Sequence, residues 1–326
     1  MDKLIEVKNL KTFFYTEGGV AKAVNDISFD IFKGEVLGIV GESGSGKSVT
    51  SLSINRLIPD PPGKIVSGEI LYNGTNLLDL SYDEMSKYRG NHISMIFQEP
   101  MTSLNPVLKI RTQMNEILMH HDGMNKEEAT KKSIEMLHSV GIVEPELRIN
   151  DYPHQFSGGM RQRIMIAMSL QCNPALLIAD EPTTALDVTI QAQILDLMMD
   201  LKDKRKDAAI LLITHDLAVI AETCDRVIVM YGGVIQEIAP IDDLFTNPIH
   251  PYTKALMDSI PKMDIKEERL KALKGMVPSI LELDDGCKLC SRFEPDECAC
   301  RGTKIEPDLV EITKGHYARV NLDMVK

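Results

Sequence analysis

Hydrophobic and polar residues alternate near the start of the chain. The alternation covers residues 4–10 and 23–31, with a Gly-Gly pair at 18–19 between the two stretches. A period of two is typical of strands with one buried face, so residues 1–34 are predicted to form an antiparallel hairpin. A third stretch, residues 67–74, predicts another strand followed by a turn.

Short runs that are almost wholly apolar occur farther along the chain. They lie at residues 35–40, 93–97, 175–179 and 209–213, and a helical pattern covers residues 188–204. Strands that are buried on both faces carry such runs, and strand–helix–strand order is typical of a parallel sheet. The pattern therefore predicts an α/β fold.

The pattern changes between about residues 106 and 154. Strand signals are absent from this stretch, and apolar residues recur at helical spacing over residues 127–140, a run that Gly141 closes. We expect a helical insertion over about residues 100–160.

The predicted sheet ends before the C-terminus. A final hairpin is expected at residues 226–237, and the chain beyond about residue 240 is charged and irregular. We therefore expect one domain over residues 1–240 and a C-terminal extension over residues 241–326.

The charge balance narrows the classes of partner. The formal net charge is −12 at pH 7, which disfavours nucleic acid as the main partner because nucleic-acid-binding proteins carry a basic excess. The N-terminal residues carry charges where a secretory signal peptide needs an apolar core, and the apolar runs are too short to span a bilayer. We expect a soluble chain that contacts membranes only through partners.

One loop matches a known phosphate-binding pattern. Residues 41–48 fit G-x-x-x-x-G-K-[ST] and follow a predicted strand. Such a loop directs backbone N–H groups at phosphate oxygens, while the lysine adds positive charge and Ser48 offers a Mg²⁺ ligand. A glycine- and serine-rich loop without a ligand is the alternative. The residues expected to contact the nucleotide are Gly41, Glu42, Ser43, Gly44, Ser45, Gly46, Lys47, Ser48 and Val49.

Two carboxylates follow the apolar run at residues 175–179. Asp180 is expected to bind Mg²⁺ beside Ser48, and Glu181 to hold a water molecule against the γ-phosphate. The alternative is that the two acids only end a strand in solvent and bind nothing. The pair by itself does not decide between a Mg²⁺ site and solvated acids.

A second anion-binding turn is predicted in residues 156–163, Phe-Ser-Gly-Gly-Met-Arg-Gln-Arg. One nucleotide does not need two such turns, so the second is expected to serve the ATP of a neighbouring subunit. With this motif the chain resembles the nucleotide-binding domain of ABC transporters, whose signature is Ser-Gly-Gly-Met-Arg-Gln here. The expected contacts with the partner's ATP are Ser157, Gly158 and Gly159.

The resemblance implies further roles for single residues. Gln98 matches the glutamine loop, which contacts Mg²⁺ or the attacking water. Asp187 matches the loop that crosses to the partner subunit, and His215, at the end of an apolar run, matches the switch histidine. A lone histidine at such a place is otherwise usually structural.

The resemblance also implies a fold and a mechanism. We expect a P-loop NTPase with an antiparallel β subdomain, an inserted helical subdomain and a cysteine-rich extension. Two such domains would meet head to tail around ATP and Mg²⁺, with Glu181 as general base. Phe14 is expected to stack on adenine; Phe13 and Tyr15 are alternatives.

Two stretches resemble the peptide/nickel importer branch of the family. They are Glu-Pro-Met-Thr-Ser-Leu-Asn-Pro at residues 99–106 and Asn-Pro-Ile-His-Pro-Tyr-Thr at residues 247–253. The resemblance to the D-type ATPase of oligopeptide and dipeptide permeases implies an F-type ATPase partner, two permease subunits and an extracellular substrate-binding protein. The chain would then work at the cytoplasmic face of the cell membrane, with residues 100–119 against the permeases.

Two other functions stay open. An importer of nickel or another solute would use a similar ATPase, because the binding protein and the permeases choose the substrate. A soluble ABC ATPase acting on DNA or ribosomes is the third hypothesis. It is disfavoured because residues 48–157 contain no heptad run and the chain carries a single cassette.

Four of the six cysteines crowd near the C-terminus, at Cys287, Cys290, Cys298 and Cys300. Metal ligation is expected, since cytosolic chains seldom keep disulfides. The resemblance implies the pattern G-C-x5-C-x6-C with a later H-x-x-x-C, which can hold a [4Fe–4S] cluster. Here Cys287 and Cys300 keep the first-to-third spacing, but the second and fourth of those positions are Phe293 and Val320. With Cys290 and Cys298 as substitute donors, a [4Fe–4S] cluster, Zn²⁺ and no metal are the three alternatives.

Overall fold

The computed structural model describes residues 2–98, 103–183, 188–259, 275–283 and 286–324. The strands are β1 (Lys3–Thr16), β2 (Gly19–Phe32), β3 (Val36–Val40), β4 (Gly63–Tyr72), β5 (Thr75–Asn76), β6 (Ile93–Ile96), β7 (Leu176–Asp180), β8 (Ala209–Ile213), β9 (Arg226–Tyr231), β10 (Val234–Pro240), β11 (Leu309–Thr313) and β12 (His316–Arg319). The helices are α1 (Lys47–Ile54), α2 (Tyr82–Tyr88), α3 (Ile110–His121), α4 (Lys126–Ser139), α5 (Pro145–Arg148), α6 (Gly158–Leu170), α7 (Val188–Asp203), α8 (Leu217–Thr223), α9 (Ile241–Thr246) and α10 (Pro251–Asp258).

The chain forms two compact units, each built from separate stretches of sequence. The first unit comprises Met1–Leu4, Ile31–Glu35 and Tyr72–Ile213. The second unit comprises Ile5–Asp30, Val36–Leu71 and Thr214–Lys326.

The second unit contains the strand that leads into the phosphate loop. β3 pairs in parallel with β9, and antiparallel strands continue the sheet in the order β11-β12-β10-β9-β3. Every residue of β3 is buried, as expected for a parallel strand that is covered on both faces. β2, β1 and β4 lie side by side in a separate sheet, and only two residues join β1 to β2 in a hairpin.

The first unit combines parallel strands with a layer of helices. β8, β7 and β6 pair in parallel in that order, and β7 and β8 are buried at every position. The N-terminus of α4 is a capping box: Asn125 accepts the N–H of Glu128, whose carboxylate accepts the N–H of Asn125. Leu118, Ala129 and Cys172 form an apolar cluster between the helices.

The elements predicted from the hydrophobic pattern are confirmed, with small shifts at their ends. Residues 103–157 contain helices and, within this described stretch, no strand, which agrees with a helical insertion. Within the described part of the chain, no helix has the length and apolar character needed to cross a membrane. The division into domains at residue 240 stays a prediction.

The C-terminal extension is more regular than its sequence indicates. The expectation of an irregular segment was wrong for α9, α10, β11 and β12, and β12 adds to the sheet with Ala318 opposite Glu237. None of the five residues of β11 is buried, so this edge strand has no alternating apolar pattern. The sequence signal for this hairpin is therefore absent.

A buried carboxylate anchors the extension. Glu237 on β10 is fully buried, and its Oε1 accepts a 2.6 Å hydrogen bond from Nε2 of His316 on β12. The Glu237 carboxylate also accepts the backbone N–H groups of Ile249 and His250. Burial by itself raises the pKa of Glu237, but these hydrogen bonds outweigh burial and hold the pKa below its ordinary value.

His250 caps helix α10 from a fully buried position. Its Nδ1 accepts the backbone N–H of Tyr252 at 3.1 Å, so this nitrogen carries no proton. Burial lowers the pKa of His250 to about 3. The ring therefore stays neutral in the folded protein at physiological pH.

We expect mild acid to destabilise the protein through His250. The pKa of His250 is about 3 in the folded protein, whereas its ordinary value is 6.5. Between pH 3 and pH 6.5, the unfolded chain therefore binds a proton at His250 that the folded protein does not bind. The free energy of unfolding should then fall by about 1.4 kcal/mol for each pH unit below the ordinary pKa. Urea denaturation of the wild type and of His250→Asn over this pH range measures the effect.

The difference between the two stabilities should shrink as the pH falls, because the variant lacks the titrating ring. His154→Asn, a change at an exposed histidine, is the control and should keep the wild-type pH dependence. Equal pH slopes for the wild type and His250→Asn would contradict the assignment.

Candidate nucleotide-binding site and cysteine cluster

Two glycines of the phosphate loop are pressed against backbone carbonyls. A Cβ on Gly41, at φ +151°, would lie 2.1 Å from the carbonyl oxygen of Met230. A Cβ on Gly46, at φ +102°, would lie 2.4 Å from the carbonyl oxygen of Ala23. Both positions require glycine for space as well as for conformation, and the loop is thereby fixed against β9 and β2.

The loop gathers groups that suit an anion. α1 begins at Lys47, whose Nζ donates to the carbonyl oxygens of Gly41 at 2.8 Å and Glu42 at 3.0 Å. The Oγ of Ser45 is buried and has no hydrogen-bond partner within the described residues. An ammonium group across the loop, an unpaired hydroxyl and a helix N-terminus fit nucleotide phosphates.

The other predicted contacts of this loop differ in exposure. Ser43 and Gly44 are exposed, whereas Ser48 and Val49 are half-buried in the first turn of α1. Phe14 on β1 is half-buried, and its ring packs against Gly63, where a Cβ would lie 2.8 Å from the ring. Stacking of Phe14 on adenine stays a prediction.

The structure brings Gln98 and Glu181 together. Asp180 ends β7 and is 4% exposed. Glu181 follows it at φ +47°, and its N–H donates to the carbonyl oxygen of Ile213 at the end of β8. The side-chain amide of Gln98 donates to the Glu181 carboxylate at 3.1 Å, so two residues from distant motifs share one hydrogen bond.

His215 occupies a fixed turn directly after β8. The N–H of Thr214 donates to the carbonyl oxygen of Ile39 on β3, and Asp216 accepts the N–H of Ala218 at the start of α8. The His215 side chain is exposed. His215 and the phosphate loop belong to the second unit, and Gln98 and the two carboxylates to the first.

The signature turn is open to solvent. Ser157 caps α6 by accepting the N–H of Met160, and a Cβ on Gly158 would meet no atom within 4 Å. Ser157 and Gly158 are exposed, and Gly159 is half-buried. The exposed helix start suits a ligand held by another molecule. Asp187 lies outside the described residues.

Sequence reasoning missed Gln162 in the signature helix. This side chain is 1% exposed, and its amide donates to the carbonyl oxygen of Pro182, the residue after Glu181. The hydrogen bond joins the signature helix to the end of β7. The one sequence feature that pointed to Gln162 was its position within the signature motif. The motif does not indicate which group its side chain binds.

Residues 24–184 match the family described as ABC transporter, and residues 236–300 match the oligopeptide/dipeptide transporter C-terminal region. The chain belongs to the ABC transporter family. The probable peptide ABC transporter ATP-binding protein y4tR of Sinorhizobium fredii is 53% identical over 97% of this chain and 94% of its own.

Other relatives of this ABC protein carry similar names. The oligopeptide transport ATP-binding protein AppD of Bacillus subtilis is 53% identical over 90% of this chain and 89% of its own. Among solved structures, a dimeric post-hydrolysis state of the ATP-binding cassette MJ0796 with ADP and Pi is 29% identical, with a TM-score of 0.65. That similarity covers 73% of this chain and 98% of the cassette, and confirms the predicted P-loop fold.

The branch-specific stretch at residues 247–253 contacts the phosphate loop of this ABC protein. The hydroxyl of Tyr252 accepts the backbone N–H of Glu42 at 3.1 Å and donates to the Glu42 carboxylate at 3.3 Å. Burial raises the pKa of Tyr252, so the hydroxyl keeps its proton for this bond. This stretch, here called the elbow, is thus tied to the loop by its tyrosine.

The four C-terminal cysteines converge in the second unit. Their Sγ atoms all lie within 4.8 Å of one another, at 3.5 Å for Cys287–Cys298, 3.3 Å for Cys290–Cys300 and 3.6 Å for Cys298–Cys300. All four thiols are free. Burial and the neighbouring thiols raise the pKa of Cys290 to about 12, whereas hydrogen bonds from the other thiols outweigh burial and lower the pKa of Cys300 to about 7. A bound cation would ionise the remaining thiols.

We expect Gly46→Ala to destabilise the protein more than Gly44→Ala. Both glycines have left-handed φ angles, but a Cβ at Gly46 would press on the carbonyl oxygen of Ala23, whereas a Cβ at Gly44 meets nothing within 4 Å. The steric difference should cost Gly46→Ala roughly 1–3 kcal/mol more of the free energy of unfolding. Chemical denaturation of the two variants measures it, and equal stabilities would show that the loop yields at Gly46.

Proposed function

We propose that this chain is the ATP-hydrolysing subunit of an importer for oligopeptides or dipeptides. The observation that carries the proposal is the 53% identity, over 97% of the chain, to a protein named as a probable peptide ABC transporter ATP-binding protein. The match of residues 236–300 to the oligopeptide/dipeptide transporter C-terminal region supports the same substrate class.

Lys47, Ser48 and Asp180 would hold Mg-ATP. The fixed loop and the ammonium across it support phosphate binding by Lys47. Ser48 in the first turn of α1 offers a hydroxyl to Mg²⁺, and Asp180 at the end of β7 offers a carboxylate. Phe14 would stack on the adenine ring.

Glu181 would act as the general base, with Gln98 as its partner. The hydrogen bond between their side chains supports a shared role, because a base must be oriented toward the water that it activates. Gln98 would also reach Mg²⁺ once ATP is bound. His215, in the turn after β8, would sense the γ-phosphate, and Asp187 would contact the partner subunit.

ATP would lie between two subunits. The phosphate loop covers one side of the nucleotide, and the exposed turn at Ser157, Gly158 and Gly159 suits the nucleotide of a second ATPase. The second ATPase would be an F-type paralogue. ATP binding would close the pair, and hydrolysis would open it.

The helical region would contact two permease subunits. A groove of about 700 Å³ lies on this region, and Met119 in its wall is 45% exposed. Its lining residues are Arg111, Thr112, Asn115, Glu116, Met119, His120 and Lys126. Mixed apolar and polar walls suit an amphipathic helix from a permease. The chain would thus lie at the cytoplasmic face of the membrane and serve an extracellular substrate-binding protein.

The four C-terminal cysteines would hold a metal centre. Four thiolates are ligands for either a [4Fe–4S] cluster or Zn²⁺. The convergence of the four Sγ atoms supports metal binding by Cys287, Cys290, Cys298 and Cys300.

Glu181→Gln should abolish ATP turnover while ATP still binds. The amide keeps the size of the side chain but cannot accept a proton, so the hydrolysis rate should fall by about 100-fold or more. Phosphate release and equilibrium ATP binding, measured on the same preparation, separate the two effects. Glu222→Gln, at an exposed glutamate in α8, is the control. A Glu181→Gln protein with near-normal turnover would remove Glu181 from the role.

Uptake assays test the transport proposal. Cells that carry the complete transporter should lose uptake of labelled oligopeptides and dipeptides when the wild-type chain is replaced by Glu181→Gln. Nickel uptake should not change. Loss of nickel uptake with normal peptide uptake would favour the nickel importer, and unchanged uptake of both would contradict a role in transport of these solutes.

A further inference from the structure

The four cysteines lie in a segment without regular secondary structure. Residues 286–304, here called the cysteine segment, contain no helix or strand, yet Cys298, Ala299 and Cys300 are each 1% exposed. A short segment of this kind has too few hydrogen-bonded elements and too small a core to hold its own shape. Disulfides or a metal ion usually supply the missing constraint, and the thiols of this segment are free.

The distances between the thiols fit a single tetrahedral ion. With Zn–S bonds of about 2.3 Å, the edges of a tetrahedron of sulfur ligands measure about 3.8 Å. The Sγ–Sγ distances between hydrogen-bonded thiols run from 3.3 Å for Cys290–Cys300 to 3.9 Å for Cys290–Cys298, and all four Sγ atoms lie within 4.8 Å of one another. In a [4Fe–4S] cluster each cysteine binds a different iron, so its four sulfurs must stand farther apart than the ligands of one ion.

The residues that replace the relatives' cysteines also disfavour the cluster. Phe293 and Val320 stand at two of those positions. Val320 is 3% exposed and packs with Ala299 and Ala318 in an apolar cluster. Neither side chain can bind iron. The substitute donors Cys290 and Cys298 form a C-x2-C pair with Cys287 and a C-x-C pair with Cys300, and such short spacings suit ligands of a single ion.

The cysteine segment reaches the phosphate loop through Arg292. This arginine lies two residues after Cys290, and its side chain is 3% exposed. One terminal nitrogen donates to Oε2 of Glu42 at 2.5 Å, and the other donates to Oε1 at 3.2 Å. The guanidinium also lies 5.7 Å from the ring centre of Tyr231. The Glu42 side chain is 28% exposed, so the arginine is the buried member of the pair. A two-pronged arginine–carboxylate pair is geometrically specific and strong.

Glu42 passes this constraint to the lysine of the loop. Its backbone oxygen accepts a hydrogen bond from Lys47, and its backbone N–H donates to Tyr252. Arg292 therefore holds the side chain of Glu42, and Tyr252 holds its backbone. Without Arg292, the Glu42 carboxylate would keep the neutral Tyr252 hydroxyl as its partner among these contacts. The Glu42 carbonyl that positions Lys47 would then be held less firmly.

We propose that Cys287, Cys290, Cys298 and Cys300 bind one zinc ion, and that this ion holds Arg292 against Glu42 so that the phosphate loop is ordered for ATP. Arg292 is a positioning residue in this proposal, because it acts on ATP through Glu42 and Lys47. The second half of the proposal rests on the proposed function, since it requires that ATP binds at the loop.

Metal analysis of the full-length protein, purified under anaerobic conditions, tests the first half. We expect one zinc per chain, no acid-labile sulfide, and a tetrahedral thiolate spectrum when cobalt replaces zinc. Replacing Cys290 by Ser should lower the zinc content, whereas Cys172→Ser, at a buried cysteine outside the segment, should not. Iron with sulfide, iron alone, or a chain without metal would each overturn the assignment to zinc.

ATP affinity and amide hydrogen exchange test the second half. Arg292→Gln should keep its zinc, weaken ATP binding by about tenfold and speed exchange in residues 41–48, because one charge-assisted pair is lost. Removing zinc from the wild type should have the same two effects, and removing it from Arg292→Gln should add little. Arg301→Gln, at an exposed arginine of the same segment, should resemble the wild type.

The outcomes separate the two proposals. Unchanged affinity and exchange in Arg292→Gln, or additive losses on zinc removal, would overturn the coupling. If the zinc-loaded wild type bound no ATP, the proposed function would fail, while the exchange of residues 41–48 would still report whether Arg292 orders the loop.

Discussion

The close approach of two backbone carbonyls to the phosphate loop is the constraint on which the nucleotide site depends. The carbonyl oxygens of Met230 and Ala23 occupy the space where side chains at Gly41 and Gly46 would stand. The loop is therefore clamped between β9 and β2, and α1 starts at Lys47 in a fixed place. The ammonium of Lys47 folds back over the loop onto its carbonyl oxygens, and such a group beside a helix N-terminus suits phosphate.

The C-terminal extension supports that same loop. Tyr252 and Arg292 both reach Glu42, from an elbow and from a cysteine segment that are far away in the sequence. The elbow is fixed in turn by Glu237, whose buried carboxylate accepts the N–H of His250. The part of the chain that matches the oligopeptide/dipeptide transporter C-terminal region is thus hydrogen-bonded to the phosphate loop.

Much of the fold could be predicted from the sequence because buried strands and glycine-rich loops leave local patterns. The phosphate loop, β3, β7 and the helical region all follow from hydrophobic period and turn residues. Contacts between distant residues left no such pattern. Glu42 and Arg292 are 250 positions apart in the sequence. A glutamate within a phosphate-binding motif gives no indication of which residue it pairs with.

The cysteines also show that a sequence pattern predicts ligand types better than their geometry. Their spacing indicated metal binding but left an iron–sulfur cluster, zinc and no metal as alternatives, since thiolates bind both metals. The distances between sulfur atoms depend on how the segment folds, and those distances favour one ion. The hairpin of β11 and β12 escaped prediction because an edge strand with no buried residue needs no alternation.

The central claim is that the phosphate loop is half of a site that a second subunit completes. Orthovanadate trapping of the assembled ATPase pair with Mg-ATP, followed by ultraviolet cleavage of the backbone around the bound vanadate, tests it most directly. The account predicts cuts in residues 41–48 of one subunit and at the signature turn of the other, with Ser157 as the site in this chain. Cleavage confined to the phosphate loops would contradict it.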